Sequence, residues 1–502
     1  MNARTVRIPR LPRLPRLTPP APRSSPPRSR VAAATAAALL SACATVDTAR
    51  PELELPALTA SAPAQVERWW TLFGDPQLDA LVDEALGANL DLRAAMARID
   101  EARAALRLAR SNLYPSLDAE AGASRSRRSE ATSLRQGPPF TSTTYDAGLQ
   151  AAYEVDLWGR LAAGRAAADS SLLASRYAAE TVRIALAAQV ASTYFTLRAY
   201  DAELQLATET LATREENEKL QAQRFEAGLA SEFELRLAQA ERAAVAASVP
   251  ALKSAIARSE AALALLAGRS PRAVFTPVVA RGIDLQKIAA APPVPAGLPS
   301  DLLARRPDIR RAETELVAAN ARIGEARAQY FPRLTLTARF GGESADLSDL
   351  LTSPARVWSI AGGLLQPIVG AARIGAEVDA ATARREQARI GYVQSVQAAF
   401  RDAHDALVAH RGAVETLAAQ DARRTALARA LALADARYKS GYSTYLEVLD
   451  AQRSLLEAER ARLAAARDRQ TALVDLYKAL GGGWSPAQFA QETAPAKASA
   501  AN

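Results

Sequence analysis

Between Tyr145 and Gly228 the hydrophobic pattern changes period once. Tyr145, Ala147, Leu149, Ala151, Tyr153, Val155 and Leu157 alternate with Asp146, Gly148, Gln150, Ala152, Glu154 and Asp156. That period of two predicts a strand with one apolar and one polar face. After Trp158-Gly159-Arg160 the spacing becomes three and four, through Val190, Thr193, Leu197, Tyr200, Leu204, Ala207 and Leu211, as in a coiled coil. From Arg160 to Glu226 there is no proline and one glycine, Gly164, so the pattern predicts a single helix of roughly 100 Å. A half-polar strand feeding such a helix is out of scale for a globular core. It suits a body that crosses one membrane and reaches across an aqueous gap.

In chain order, Trp69-Trp70-Thr71-Leu72-Phe73-Gly74-Asp75-Pro76 precedes a helical pattern over Leu78–Leu113 and a strand from Pro115 to about Ala123. A polar loop, Ser124–Thr144, leads into the strand and long helix above. Gly228 ends that helix. A return helix follows over Ser231–Leu266, closed by Gly268 with Pro271 behind it, a helix-stop signature. Pro250 is expected to kink it. The proline-rich stretch after Arg269 reads as irregular.

The pattern then repeats. At a shift of 217, Asp91-Leu92-Arg93 meets Asp308-Ile309-Arg310 and Tyr114-Pro115 meets Phe331-Pro332. At a shift of 213, Arg224-Phe225 and Gly228 meet Arg437-Tyr438 and Gly441, and Gly268 meets Gly481. One helix–strand–strand–long helix–return helix unit is used twice. The expected divisions are a leader, 1–42; an N-terminal linker or equatorial segment, 43–77; repeat 1, 78–268 (β-hairpin 115–157, long helix 160–226, return helix 231–267); an equatorial linker, 269–299; repeat 2, 300–481 (β-hairpin 332–368, long helix 371–438, return helix 444–480); and a tail, 482–502. The first helix and the return helix of each unit together match one long helix in length.

The formal charge of +8 comes from the leader, since residues 1–42 carry eight arginines and no acid. The rest balances, so the basic pI is no argument for nucleic acid. Val31–Leu40 is too short to span a bilayer, and a positive region followed by a short apolar one reads as an export signal. Its end, Leu40-Ser41-Ala42-Cys43, is similar to a bacterial lipobox, which would make Cys43 the lipidated first residue of the mature chain. An ordinary signal with an incidental cysteine is the alternative. With one cysteine no intrachain disulfide forms. The two histidines, His404 and His410, stand six apart on one helix, a poor metal spacing. His410 continues the stripe Val393, Val396, Phe400, Ala403, Leu407 and reads as packed between helices.

Four strands cannot close a transmembrane barrel, and open edges in lipid leave backbone groups unpaired. Either the strands lie outside a membrane, or several chains pool them. The charges Asp146, Glu154, Asp156, Arg333 and Arg339 suit a water-filled lumen.

Five segments in this order carry a resemblance: Tyr153-Glu154-Val155-Asp156-Leu157-Trp158-Gly159-Arg160; Arg305-Arg306-Pro307-Asp308-Ile309-Arg310; Ala321-Arg322-Ile323-Gly324-Glu325-Ala326-Arg327 through Phe331-Pro332; Gly363-Leu364-Leu365-Gln366-Pro367-Ile368; and Leu449-Asp450-Ala451-Gln452-Arg453-Ser454-Leu455. With the duplication, they make residues 65–482 resemble TolC/OprM-type outer membrane factors of tripartite efflux systems, in the lipoprotein, NodT-like branch. The resemblance implies a mainly α, TolC-like homotrimer with a 12-stranded β-barrel in the outer membrane and a periplasmic α-helical barrel. It implies an exit duct for small molecules or drugs, driven by an RND-type or ABC inner-membrane transporter through a periplasmic adaptor. The tips at Gly228 and Gly441 would meet that adaptor: Arg224, Gly228, Leu229 and Ser231 match the tip motif, and Arg437, Gly441, Tyr442 and Thr444 match it less well, since Tyr442 stands where a small aliphatic is usual. The tip end is also where such ducts close, and Asp435 is the candidate gate residue.

Two other readings stand beside this one. The outer-membrane part of a type I polypeptide secretion system has the same form. A soluble periplasmic coiled-coil scaffold explains the helices but not the amphipathic hairpins. No nucleophile–base constellation, phosphate loop or metal cluster is legible, so neither enzyme activity nor a cofactor is expected, and the few Met and His weaken a metal-dedicated role.

Overall fold

The computed structural model describes residues 67–127, 129, 141–288, 305–484 and 489, all within the unit Thr48–Asn502. Cys43 lies outside them. Repeat 1 begins with helices α1 (Pro76–Ala88) and α2 (Leu90–Ser111). Strands β1 (Ser116–Arg127) and β2 (Thr141–Val155) follow, then the long α3 (Arg160–Glu226) and its return α4 (Glu232–Leu266). A short α5 (Pro271–Phe275) opens the connection. Repeat 2 runs through α6 (Pro307–Ala328), β3 (Arg333–Ser344), β4 (Arg356–Leu365), α7 (Ala371–Lys439) and α8 (Tyr445–Ala479).

At 67 and 69 residues, the two long helices are each roughly 100 Å. The expected single helix over Leu78–Leu113 is two. Asn89 adopts an extended ψ of 135° and caps α2, its Oδ1 accepting from the N–H groups of Asp91 (2.8 Å) and Leu92 (3.1 Å), as asparagine does at N-caps. The helix continues through Pro250, where the ring removes one rung. Strand β1 extends four residues past Ala123, and β2 starts at Thr141.

The broken first helix exposes the logic of the repeat. In both copies a 22-residue helix (α2, α6) abuts a 35-residue return helix (α4, α8). Asn89 Nδ2 donates to the Leu266 carbonyl at 2.8 Å. One repeat later Arg306 occupies the same place, its Nη1 donating to the Ala479 carbonyl at 3.2 Å. Gly268 closes the first joint at φ +67°, where a Cβ would sit 2.2 Å from the Ala88 oxygen. Helix α3 packs on α4, α6, α2 and α8, and α7 packs on α8 and α6.

The main core gathers around the middle of α3. Trp69, Trp70 and Phe73 insert between α3 and α8 with Leu78, Val82, Val190, Phe195, Leu263 and Val474, and Trp69 stacks on Tyr477 at 5.8 Å. Asp75 is fully buried. It accepts from the Gln77 N–H (2.9 Å), the Tyr194 hydroxyl (2.8 Å) and the Ile283 N–H (3.1 Å), so a buried charge is met by several donors. Burial, then the Asp75 carboxylate, push the Tyr194 hydroxyl well above its ordinary pKa. Arg198 reaches the Ile283 carbonyl at 3.3 Å and Asp201 at 2.9 Å. These contacts strap the connection after α5 to the waist of the long helix. No described helix is long and apolar enough to cross a membrane.

Candidate functional site

The four strands form one antiparallel sheet in the order β1-β2-β3-β4. The outer edges of β1 and β4 have no strand partner among the described residues. Cα partners across an antiparallel ladder share a face, so the register sorts every side chain. Leu117, Leu149, Leu336, Phe340, Trp358, Ile360 and Leu364 lie on one face. They stay exposed, Trp358 at 72% and Ile360 at 78%, too much apolar surface for a sheet face left in water.

The other face holds Asp118, Glu120, Asp146, Gln150, Glu154, Arg333, Arg339 and Glu343. Arg339 bridges two strands, 3.2 Å from Glu120 and 3.2 Å from Asp146. Below it, Glu154 takes a bidentate pair from Arg160, at 3.0 and 2.8 Å. One face is therefore built for lipid and the other for water. Gly341 lets β2 and β3 close: a Cβ there would lie 2.3 Å from the Ala147 oxygen.

The corner from sheet to helix is fixed by the Trp-Gly-Arg segment. Gly159 turns the chain at φ +71°, a conformation glycine adopts freely. Trp158 stacks on Phe331 at 4.7 Å and donates Nε1 to the Pro332 carbonyl at 2.8 Å. This ties the β2–α3 corner to the α6–β3 corner across the two repeats.

At the far end of the helices both turns take the same form. Gly228 has φ +69°, and the Leu229 N–H donates to the Arg224 carbonyl at 2.7 Å. Gly441 has φ +76°, and the Tyr442 N–H donates to the Arg437 carbonyl at 2.9 Å. Both are Schellman closures. Ser231 forms a capping box with Glu234, whereas Thr444 makes no side-chain cap. Leu229 is 72% and Tyr442 81% exposed. Arg224 Nη1 donates to the Tyr438 hydroxyl at 2.7 Å, joining the two tips.

Asp435 is paired with Lys439 one turn on, at 2.6 Å, while Arg437 faces Glu447 at 3.7 Å. Deeper in, Arg453 holds Glu241, Nε at 2.7 Å, and buried Arg214 donates to Gln452. Sequence reasoning missed these cross-helix pairs, whose partners stand 212 and 238 residues apart. No cluster of metal-ligating side chains occurs among the described residues. His410 is partly buried, and burial with nearby Arg469 holds its pKa below the ordinary value.

Comparison with known proteins bears on both regions. The family model described as outer membrane efflux protein matches residues 81–269 and 298–482. The solvent efflux pump outer membrane protein SrpC of Pseudomonas putida is 38% identical over 83% of this chain and 87% of its own. The cation efflux system protein CusC of Escherichia coli is 34% identical over 83% and 88%. The open-state structure of the Neisseria gonorrhoeae MtrE outer membrane channel covers 87% of this chain and 97% of its own, with a TM-score of 0.77 at 34% identity.

Proposed function

This chain belongs to the outer membrane efflux protein family, and we propose that three copies of it assemble into one exit duct that carries small organic molecules out of the periplasm. The observation that carries the trimer is the sheet: four strands, two open edges, one exposed apolar face and one charged face. Three copies supply twelve strands, an even number large enough to close around water.

Below the sheet, α3 and α7 with their return helices carry the conduit into the periplasm. Arg224, Gly228, Leu229 and Ser231 form one docking tip for a periplasmic adaptor, and Arg437, Gly441, Tyr442 and Thr444 form the other. The tips differ in kind, one aliphatic with a capping box and one aromatic whose flanking helices carry the ion pairs Arg437–Glu447 and Asp435–Lys439, so each takes a different face of the adaptor. An inner-membrane transporter, RND-type or ABC, supplies the energy. Asp435 is the gate carboxylate, with Lys439 lowering its net charge. Cys43 carries the lipid anchor. Relatives are named for solvents, toluene and cations. The two methionines and two histidines of this chain favour the organic cargo over a soft-metal one.

Native mass spectrometry of the detergent-extracted protein, with peptide mass analysis at Cys43, tests the assembly. A trimer with a lipidated Cys43 is expected. A water-soluble monomer with unmodified Cys43 overturns it.

A further inference from the structure

The two hairpins are one structure used twice. A shift of 217 carries β1 onto β3, and a shift of 213 carries β2 onto β4. Moved by these shifts, the pair Ser116–Ala152 of the first hairpin becomes Arg333–Leu365, which is the pair the second hairpin makes. The ladder that joins the hairpins occurs once, between β2 and β3, with Ala151 opposite Ala338 and Val155 opposite Leu334. The same shifts turn it into a ladder between β4 and β1. Within one chain β2 and β3 hold those two strands about 14 Å apart, so such a ladder needs β4 from one copy and β1 from another. The corners beneath agree. Under the β2–β3 ladder, Trp158 stacks on Phe331 and donates to the Pro332 carbonyl. The shifts put Ala371 at the place of Trp158 and Tyr114 at the place of Phe331. Tyr114 is 71% exposed and Val369 97%, and Leu117 and Ile368 are exposed with them. One edge of the sheet thus presents a bare aromatic, and the other a bare aliphatic corner.

We propose that β4 of one copy pairs with β1 of a second copy of this chain in a single register, Ile368 opposite Leu117 and Leu364 opposite Ala121, and that Tyr114 closes the corner against Ile368, Val369 and Ala371 of its neighbour. The backbone groups of the two edges supply the pairing, and the pleat and the corner select the register. A slip of one residue turns Leu117 and Ile368 to opposite faces, setting one of them on the charged side. A slip of two keeps the faces but moves Tyr114 about 7 Å along the strand, away from the corner it fills. Burying its ring there gains apolar contact that neither edge has alone. The corner differs in kind from the one inside the chain: Ala371 has no side-chain donor to match the indole of Trp158, so the aromatic comes from the β1 side. The proposal rests on three copies forming one ring.

Cysteine pairs on the apolar face test the register in the full-length protein. A121C/L364C sets two thiols opposite each other across the proposed ladder, with Cα atoms about 5 Å apart, within disulfide reach. Inside one chain the same positions stand about 14 Å apart, so oxidation links only separate copies. A disulfide-linked trimer on a non-reducing gel is expected from A121C/L364C and from A123C/G362C, a second pair in the same register. The slipped pairs A119C/L364C and A123C/L364C, about 8 Å apart, are expected to stay monomeric. So are the single variants, which also report any link through Cys43. Y114S, with no added cysteine, is expected to lower the temperature at which the trimer dissociates. A trimer that links through a slipped pair, or through neither in-register pair, overturns the register, as does a covalent adduct with a different protein. A Y114S trimer as heat-resistant as wild type overturns the corner. A protein that is monomeric by native mass spectrometry overturns the three-copy reading itself, so that failure is told apart from the others.

Discussion

The side-chain amide of Asn89 and the carbonyl of Leu266 meet at 2.8 Å across 177 residues of chain. The same asparagine caps α2, so one residue ends one helix, starts another and pins both to a third. Asn89→Ala removes a cap and a long-range bond, and is expected to cost about 2 kcal/mol. Asn89→Asp keeps the cap acceptors but sets a buried carboxylate oxygen against the Leu266 carbonyl, and should be at least as destabilising as Ala at neutral pH. Thermal unfolding followed by helical circular dichroism measures both; an Asp variant as stable as wild type would refute the role of the Leu266 bond.

Gly268 and Gly228 share a left-handed conformation but not their surroundings. At Gly228 nothing lies within 4 Å of a built Cβ, whereas at Gly268 the Ala88 oxygen lies 2.2 Å away. Gly228→Ala should cost about 1 kcal/mol, the strain of the conformation alone. Gly268→Ala adds a backbone collision and should cost clearly more. Equal unfolding midpoints for the two variants would contradict the joint.

Tyr438→Phe deletes the hydroxyl that accepts from Arg224 (2.7 Å) and Gln221 (3.4 Å). Gln221 is buried there, so its donor is stranded. Amide hydrogen exchange over residues 221–230 and 436–444 should speed several-fold, a local opening of about 1 kcal/mol, with exchange at the waist around Tyr194 unchanged. Faster exchange throughout would mean that the bond supports the whole fold rather than the tips.

His410 should make stability depend on pH. Its pKa is lowered, by burial first and Arg469 second, so the unfolded chain binds this proton more readily than the folded one. Its contribution is present above the unfolded pKa of about 6.5 and is lost as pH falls below it. The unfolding midpoint of wild type should drop more steeply than that of His410→Gln between pH 7 and pH 5. Parallel curves would place the pH response elsewhere.

The period-two and three-four patterns made β2 and α3 legible, and the internal repeat carried that reading to the second hairpin and to α7. The waist was not legible. Val190 and Leu197 fall on the stripe expected of α3, but Tyr194 and Arg198 do not, and both are buried. They are covered by the connection after α5, whose sequence has no period to read. The break at Asn89 carried one local signal, an asparagine able to cap the next turn, and one that only the fold supplies, the distant Leu266 carbonyl. At the tips, the glycines and caps were visible locally, while the Arg224–Tyr438 bond depends on two turns 213 residues apart being brought together. The stripe on α7 also fades. Val414, the next step of that stripe after His410, is 45% exposed among the described residues.

In the three-copy ring proposed above, the strand edges of β1 and β4 that lack a partner among the described residues have a genetic consequence. A copy whose β1 or β4 edge is spoiled still offers its other edge to a sound neighbour, so it enters the ring and leaves it unclosed. When sound and spoiled copies are made in equal amounts and mix freely, only roughly one ring in eight contains no spoiled member. Edge lesions in this chain should therefore behave as dominant alleles, whereas lesions that prevent a copy from folding at all should be recessive.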